Sequence, residues 1–137
     1  MDIRYPATLE AQPGGGFFVQ FLDFPDIFTE GRTEEEALFN AAEVLSAMLH
    51  IKLEEGREIP VPSADKSARA IAPDAKTQAA LLIRQARGDT SIADLARALE
   101  TSWPAASRLE NPKHWPSLKS LDRAAAALGK KLVLVLE

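Results

Sequence analysis

The sequence predicts an α+β protein: a small antiparallel sheet with one long helix, then an all-α domain that ends in a strand. Three observations predict it. Apolar residues alternate with period two over the first thirty or so positions, recur at three- and four-residue steps from Leu38 to Leu53, and then fall into short capped helical segments. Charge divides the chain near the same boundary. Residues 1–65 carry thirteen Asp/Glu and four Lys/Arg, a net of −9, whereas residues 66–137 carry seven and twelve, a net of +5. Opposite fields on the two halves attract partners of opposite charge; plain variation between two domains is the alternative.

Each element has its own signal. Ile3, Tyr5, Ala7 and Leu9 alternate as a half-buried strand. Pro13-Gly14-Gly15-Gly16 turns the chain into a second strand, Phe17 to Leu22, and Asp23-Phe24-Pro25-Asp26 turns it into a third, Ile27 to Glu30. Thr33 and Glu36 form the signature of a capping box, Glu34 and Glu35 suit the positive end of a helix dipole, and Gly56 is a left-handed stop. Ile59 to Ser63 is extended by its prolines, and Ser67 to Ala72 adds a returning strand. Asp74, Ser91, Ser102 and Ser117 each cap a helix, and Lys131 to Leu136 reads as a final strand. The expected units are residues 1–66, a linker or strand at 67–73, and residues 74–137.

Composition excludes several chemistries. The chain has no cysteine, so disulfides, thiolate metal sites and cysteine nucleophiles are absent. His50 and His114 are far apart and lack metal-ligand spacing, so neither a metal nor a cofactor is expected. No apolar run approaches the roughly 18 residues that would mark a membrane span, and Met1-Asp2-Ile3-Arg4 lacks signal-peptide character, so a cytoplasmic protein is expected.

Two short helices over 91–99 and 102–110, joined by a tight turn at Glu100-Thr101, have helix-turn-helix lengths. The stretch Ile92-Ala93-Asp94-Leu95-Ala96-Arg97-Ala98-Leu99, then Ser107-Arg108-Leu109-Glu110-Asn111, Pro116-Ser117-Leu118 and Ala124 to Gly129, resembles the Cro/repressor-type (XRE-like) family. The resemblance implies a DNA-binding surface of Arg97, Ser102, Trp103, Ala105, Ser107, Arg108, Lys113, His114 and Lys119. Arg108 is the leading base or phosphate contact, because a guanidinium binds guanine or phosphate bidentately. Each cation is otherwise a solvated surface charge, and Trp103 is otherwise a core or partner-packing residue. Leu132, Val133, Leu134, Val135 and Leu136 are apolar on both strand faces, which suits pairing with a second copy or burial against residues 1–72.

Asp23, Asp26 and Glu30 gather near the hairpin rim. Carboxylates in that pattern can hold a divalent ion for phosphoryl chemistry, but further ligands are missing, so a binding surface or a solvated rim is the better reading. Phe24 and Ile27 beside them are either apolar anchors for a partner or core residues. The order Arg4-Tyr5-Pro6, Gly16-Phe17-Phe18-Val19, Phe24-Pro25-Asp26, Thr29-Glu30-Gly31, Thr33 to Ala37, Ala41-Ala42 and Ile59 to Ser63 closely resembles the HicB antitoxin family. That resemblance implies a degraded RNase H-like fold and a non-enzymatic antitoxin. It also implies a partner, HicA, a small basic ribonuclease held through Asp23, Phe24, Asp26, Ile27 and Glu30. With the XRE-like half it implies autorepression at operator DNA by a homodimer or higher oligomer. The alternative is a transcription regulator whose first domain senses a ligand or another partner, with no toxin.

Overall fold

The computed structural model describes residues 1–137. Strands β1 (Tyr5–Ala11), β2 (Phe17–Phe21) and β3 (Phe28–Gly31) precede the long helix α1 (Glu34–Glu54), and β4 (Arg69–Ile71) follows it. All neighbours are antiparallel, in the order β3-β2-β1-β4. The first hairpin closes where Gly15 donates to the Gln12 carbonyl and Gln12 to that of Gly16, with φ of +98° and +81° at Gly15 and Gly16 that side chains resist. Register puts Tyr5, Ala7, Val19 and Phe21 on one face, where they are buried against Ala37, Ala41, Leu45 and Leu49 of α1. At Gly31 the helix comes so close that a Cβ would collide with the backbone of Glu36 and Ala37.

The N-cap of α1 is half of the expected box. Thr33 Oγ1 accepts from the Glu36 amide at 3.1 Å, but the Glu36 carboxylate turns to Arg32 instead of returning to the cap. β3 begins one residue later than expected, because Ile27 leaves the ladder and is wholly buried. The returning strand expected within 67–72 forms as β4, three residues long and paired with β1.

Helices α2 (Ala75–Arg87), α3 (Ile92–Ala98), α4 (Trp103–Arg108) and α5 (Leu118–Ala127) complete the chain. Asp74, Ser91, Ser102 and Ser117 each accept a hydrogen bond from the amide three residues on. Ile83, Leu95, Ala96, Leu99, Ala106 and Ala124 form a second core. The two cores meet at α2: Leu81 is wholly buried in the sheet–α1 core while Ile83, two residues on, belongs to the second. The Asp74 amide also donates to Ser46 Oγ of α1 at 2.8 Å.

The expected final strand does not form within one chain. Residues 130–137 take no regular structure, and no strand of the sheet lies beside them. Glu137 pairs with Arg4, Leu132 is half-buried, and Val133 to Leu136 stand in solvent. A strand needs a hydrogen-bonded neighbour, and the tail pairs with neither sheet edge, β3 or β4.

Candidate protein and nucleic-acid interfaces

The three rim carboxylates are not one site. Asp23 accepts from the Ser63 amide at 2.9 Å and from the Ser63 hydroxyl, pinning the extended segment after α1. Asp26 takes the Lys52 ammonium at 3.1 Å, which holds its carboxyl below the usual carboxylate range. Glu30 lies away from both, on the sheet face opposite α1. No group of three or more potential metal ligands forms anywhere in the chain.

Phe24 and Ile27 are core residues in this structure, not surface anchors. Phe24 packs at a tilt of 53° against Tyr5 with ring centroids 4.9 Å apart, and Ile27 is wholly buried. Their turn is rigid because Gln20 Nε2 points into the carbonyls of Phe21, Phe24, Pro25 and Ile27 at 3.1–3.4 Å, serving two at a time with its two N–H groups. Tyr5 hydroxyl donates to the Pro60 carbonyl at 2.8 Å, and burial, with the nearby Asp23 charge, raises its pKa.

The face of the sheet away from α1 holds what the sequence reading passed over. Phe18 and Phe28 sit there with centroids 6.0 Å apart, and Phe28 is 55% exposed. Phe17-Phe18 in a strand was the available signal: adjacent residues point to opposite faces, so one of the two rings must leave the core.

On the helical half, α3 ends at a tight turn. Glu100 takes φ +53°, its amide donates to the Arg97 carbonyl, and the Thr101 amide reaches the Ala96 carbonyl at 2.9 Å. Arg123 of α5 donates to the Leu99 carbonyl at 3.1 Å, clamping that turn from below. Glu110, just past α4, grips Arg87 with both oxygens, one contact measuring 2.9 Å, and both side chains are mostly buried. The angle between α2 and α4 is thus fixed by a forked ion pair.

The nine residues expected on the DNA-binding surface divide among different tasks. Ser102 is spent on its cap, accepting from the Ala105 amide at 3.2 Å. Arg97 pairs with Asp94, and Lys113 reaches Glu54 of α1 at 2.9 Å. Trp103 is 56% exposed; with Ser107 it lines a cleft of about 500 Å³ against Leu53 and Glu54 at the end of α1. Ala105 is half-buried, and His114 and Lys119 are exposed. Arg108 is exposed and enters no ion pair, so its guanidinium is available. Trp115, in the loop after α4, has Lys76 Nζ 5.4 Å from its ring centroid.

Residues 4–72 match the model of the HicB-like antitoxins of bacterial toxin–antitoxin systems. Similarity extends well past that segment. Antitoxin HicB 2 of Photorhabdus laumondii is 35% identical over 135 residues, covering 98% of this chain and 96% of the relative. Antitoxin HicB of Escherichia coli strain K12 is 31% identical over 137 residues, covering 98% and 99%.

The chain belongs to the HicB-like antitoxin family. It is therefore a non-enzymatic antitoxin. The match ends one residue after β4, so the family unit includes the whole four-stranded sheet and α1, while the α2–α5 half is matched through the full-length relatives. No helix of the antitoxin is long and apolar enough to cross a membrane.

Proposed function

We propose that this antitoxin neutralises a HicA-type ribonuclease by direct binding through its acidic half, and represses its own operon through α3 and α4 acting as a helix-turn-helix. The observation that carries the reading is the coupling of an acidic, family-defining sheet unit to a cationic helical unit in one chain. An RNA-cleaving toxin must itself be cationic to hold phosphates, and a surface of net −9 attracts it and competes with its substrate. On the other half, α3, the Glu100 turn and α4 have the lengths of a helix pair that straddles a DNA backbone. Arg108 is the leading DNA contact, with Lys119, His114 and Lys113 around the following loop. The exposed tail Val133 to Leu136 is the proposed dimerisation segment, since pairing with a second copy buries its apolar side chains and occupies its backbone groups. The protein acts in the cytoplasm, where mRNA and operator are found.

The test uses the full chain, the product of the neighbouring short basic reading frame, and the DNA upstream of the pair. Wild type rescues growth when that product is induced and retards the upstream DNA. Arg108→Ala loses the retardation by at least about tenfold in Kd and keeps the rescue. Loss of rescue with DNA binding intact overturns the division of labour.

A further inference from the structure

We infer that the open face of the sheet, centred on Phe18 and Phe28, is the docking surface for a cationic protein partner, with Glu10 and Glu30 as its charged contacts. The inference rests on the antitoxin reading, and it moves the proposed toxin contact from the hairpin rim to the sheet face.

The strand register builds the site. Glu10 lies opposite Phe18, and Phe18 opposite Glu30, so a single row across three strands reads carboxylate, ring, carboxylate. Strands stand about 4.8 Å apart, which places the two glutamates roughly 10 Å from each other on either side of the ring. The next row holds Thr8, Gln20 and Phe28, and Phe28 leans on Phe18. Leu22, one step beyond β2 in the same alternation, is also exposed. α1 covers the other face, so these side chains are surplus to the core.

Charge selects the occupant. Glu10 and Glu30 enter no ion pair within the chain, whereas Asp26, Glu34, Glu36, Glu54 and Glu110 each hold a cation. An aromatic face between two unpaired carboxylates fits an Arg or Lys side chain, which gains both a cation–π contact and a charged hydrogen bond. Exposed rings beside such a site supply the apolar part of an interface. A nucleic acid is repelled by the same glutamates. A second copy docked face to face would bring four carboxylates together, which charge complementarity opposes. Strand addition at β3 is less suited than face docking, because Asn40 of α1 already donates to the Glu30 carbonyl at 2.9 Å.

The test measures association and dissociation rates of the full-length chain with the basic product of the neighbouring reading frame, at low salt and at about 0.5 M salt, where long-range steering is screened. Phe28→Ser and the pair Glu10→Lys with Glu30→Lys alter exposed side chains, so the fold is retained, and thermal melting checks this. The control is Glu35→Lys with Glu43→Lys, an equal charge change on exposed positions of α1. Both face variants are expected to dissociate at least about tenfold faster at high salt, with the control within about twofold of wild type there. Equal effects of the two charge reversals, with Phe28→Ser unchanged, overturn the docking site while leaving the antitoxin reading standing. Loss of self-association by Phe28→Ser with toxin binding unchanged overturns it in favour of a second copy. A wild-type chain that does not bind the basic product overturns the antitoxin reading and this site together.

Discussion

Lys113 Nζ lies 2.9 Å from Glu54 Oε1, so the loop after α4 is held to the last turn of α1 by one ion pair. Glu54 also lies 3.3 Å from His50 Nε2. Lys113 is at once a proposed phosphate contact and one of the ties between the two halves of the molecule. One ammonium cannot fully serve both a carboxylate and a phosphate, so DNA and Glu54 compete for it. Exposed pairs of this kind are weak in water, so a phosphate can displace the carboxylate.

Glu54→Gln is therefore expected to tighten binding of the upstream DNA by about two- to fivefold, measured by fluorescence anisotropy at fixed salt. Lys113→Ala is expected to weaken it. The decisive measurement is the double variant: Glu54→Gln should have no effect once Lys113 is gone. A gain that survives in that background comes from removing negative charge near DNA and not from this pair.

The same contact sets a pH dependence. The Lys113 ammonium, by hydrogen bonding, holds the Glu54 carboxyl below its ordinary 4.5, and Lys52 acts likewise on Asp26, below 3.8. A lowered folded pKa means stabilisation that is fully present above the ordinary value and lost as pH falls through the folded one. NMR titration of the Glu54 carboxyl should show an upward move toward 4.5 in Lys113→Ala, and no move for Asp26.

Arg87 and Glu110 make a stronger prediction for stability. The fork is mostly buried, and Glu110 raises the pKa of the guanidinium further, so Arg87 stays charged throughout the accessible range. Glu110→Ala leaves that charge shielded from water without its carboxylate. The expected loss is about 2 kcal/mol in urea unfolding, because charged hydrogen bonds in partly buried sites are worth more than surface pairs. Arg87→Met with Glu110→Leu should recover much of it.

Glu100 predicts the opposite sign. Three helices end in the same pattern, an amide returning to the carbonyl five residues back: Arg57 to Lys52, Thr101 to Ala96 and Lys130 to Ala125. The left-handed residue is Gly56 in the first and Gly129 in the third, but Glu100 in the second. A side chain there costs about 1 kcal/mol relative to glycine. Glu100→Gly should raise the melting temperature, and Gly129→Glu should lower it by a comparable amount.

Local signals made the helical half legible. Four predicted caps are observed, because a Ser or Asp side chain closing on the amide three residues on depends only on neighbours in sequence. What failed depended on distant partners. Phe24 and Ile27 read from sequence as either rim anchors or core residues, and Tyr5 and the Gln20-bound turn draw them inward. The segment 131–136 is apolar on both faces and finds no strand neighbour within the chain, which leaves pairing with a second copy as its proposed partner. Asp23, Asp26 and Glu30 are close in sequence, yet Ser63, Lys52 and strand alternation send them to three separate places. Of the DNA-facing candidates, Lys113 is shown to be paired only by a contact across the fold, whereas Arg97 and Asp94 are an i,i+3 pair within α3.

Leu81 tests whether the two halves fold together. The change in composition and charge at residues 66–74 suggested a boundary, but β4 completes the sheet beyond it and Leu81 of α2 fills the sheet–α1 core. A fragment ending at residue 66 loses both, leaving the β1 edge unpaired and a leucine-sized void in the sheet–α1 core. Leu81→Ala should cost about 3 kcal/mol, as for other wholly buried leucines. Both tryptophans, Trp103 and Trp115, lie in the helical half, so their fluorescence reports chiefly on that half. If the halves unfold as one unit, Leu81→Ala lowers the fluorescence melt and the far-ultraviolet melt by the same number of degrees. A fluorescence melt that stays at the wild-type temperature while the rest of the signal shifts means that α2 can leave the sheet without disturbing the second core.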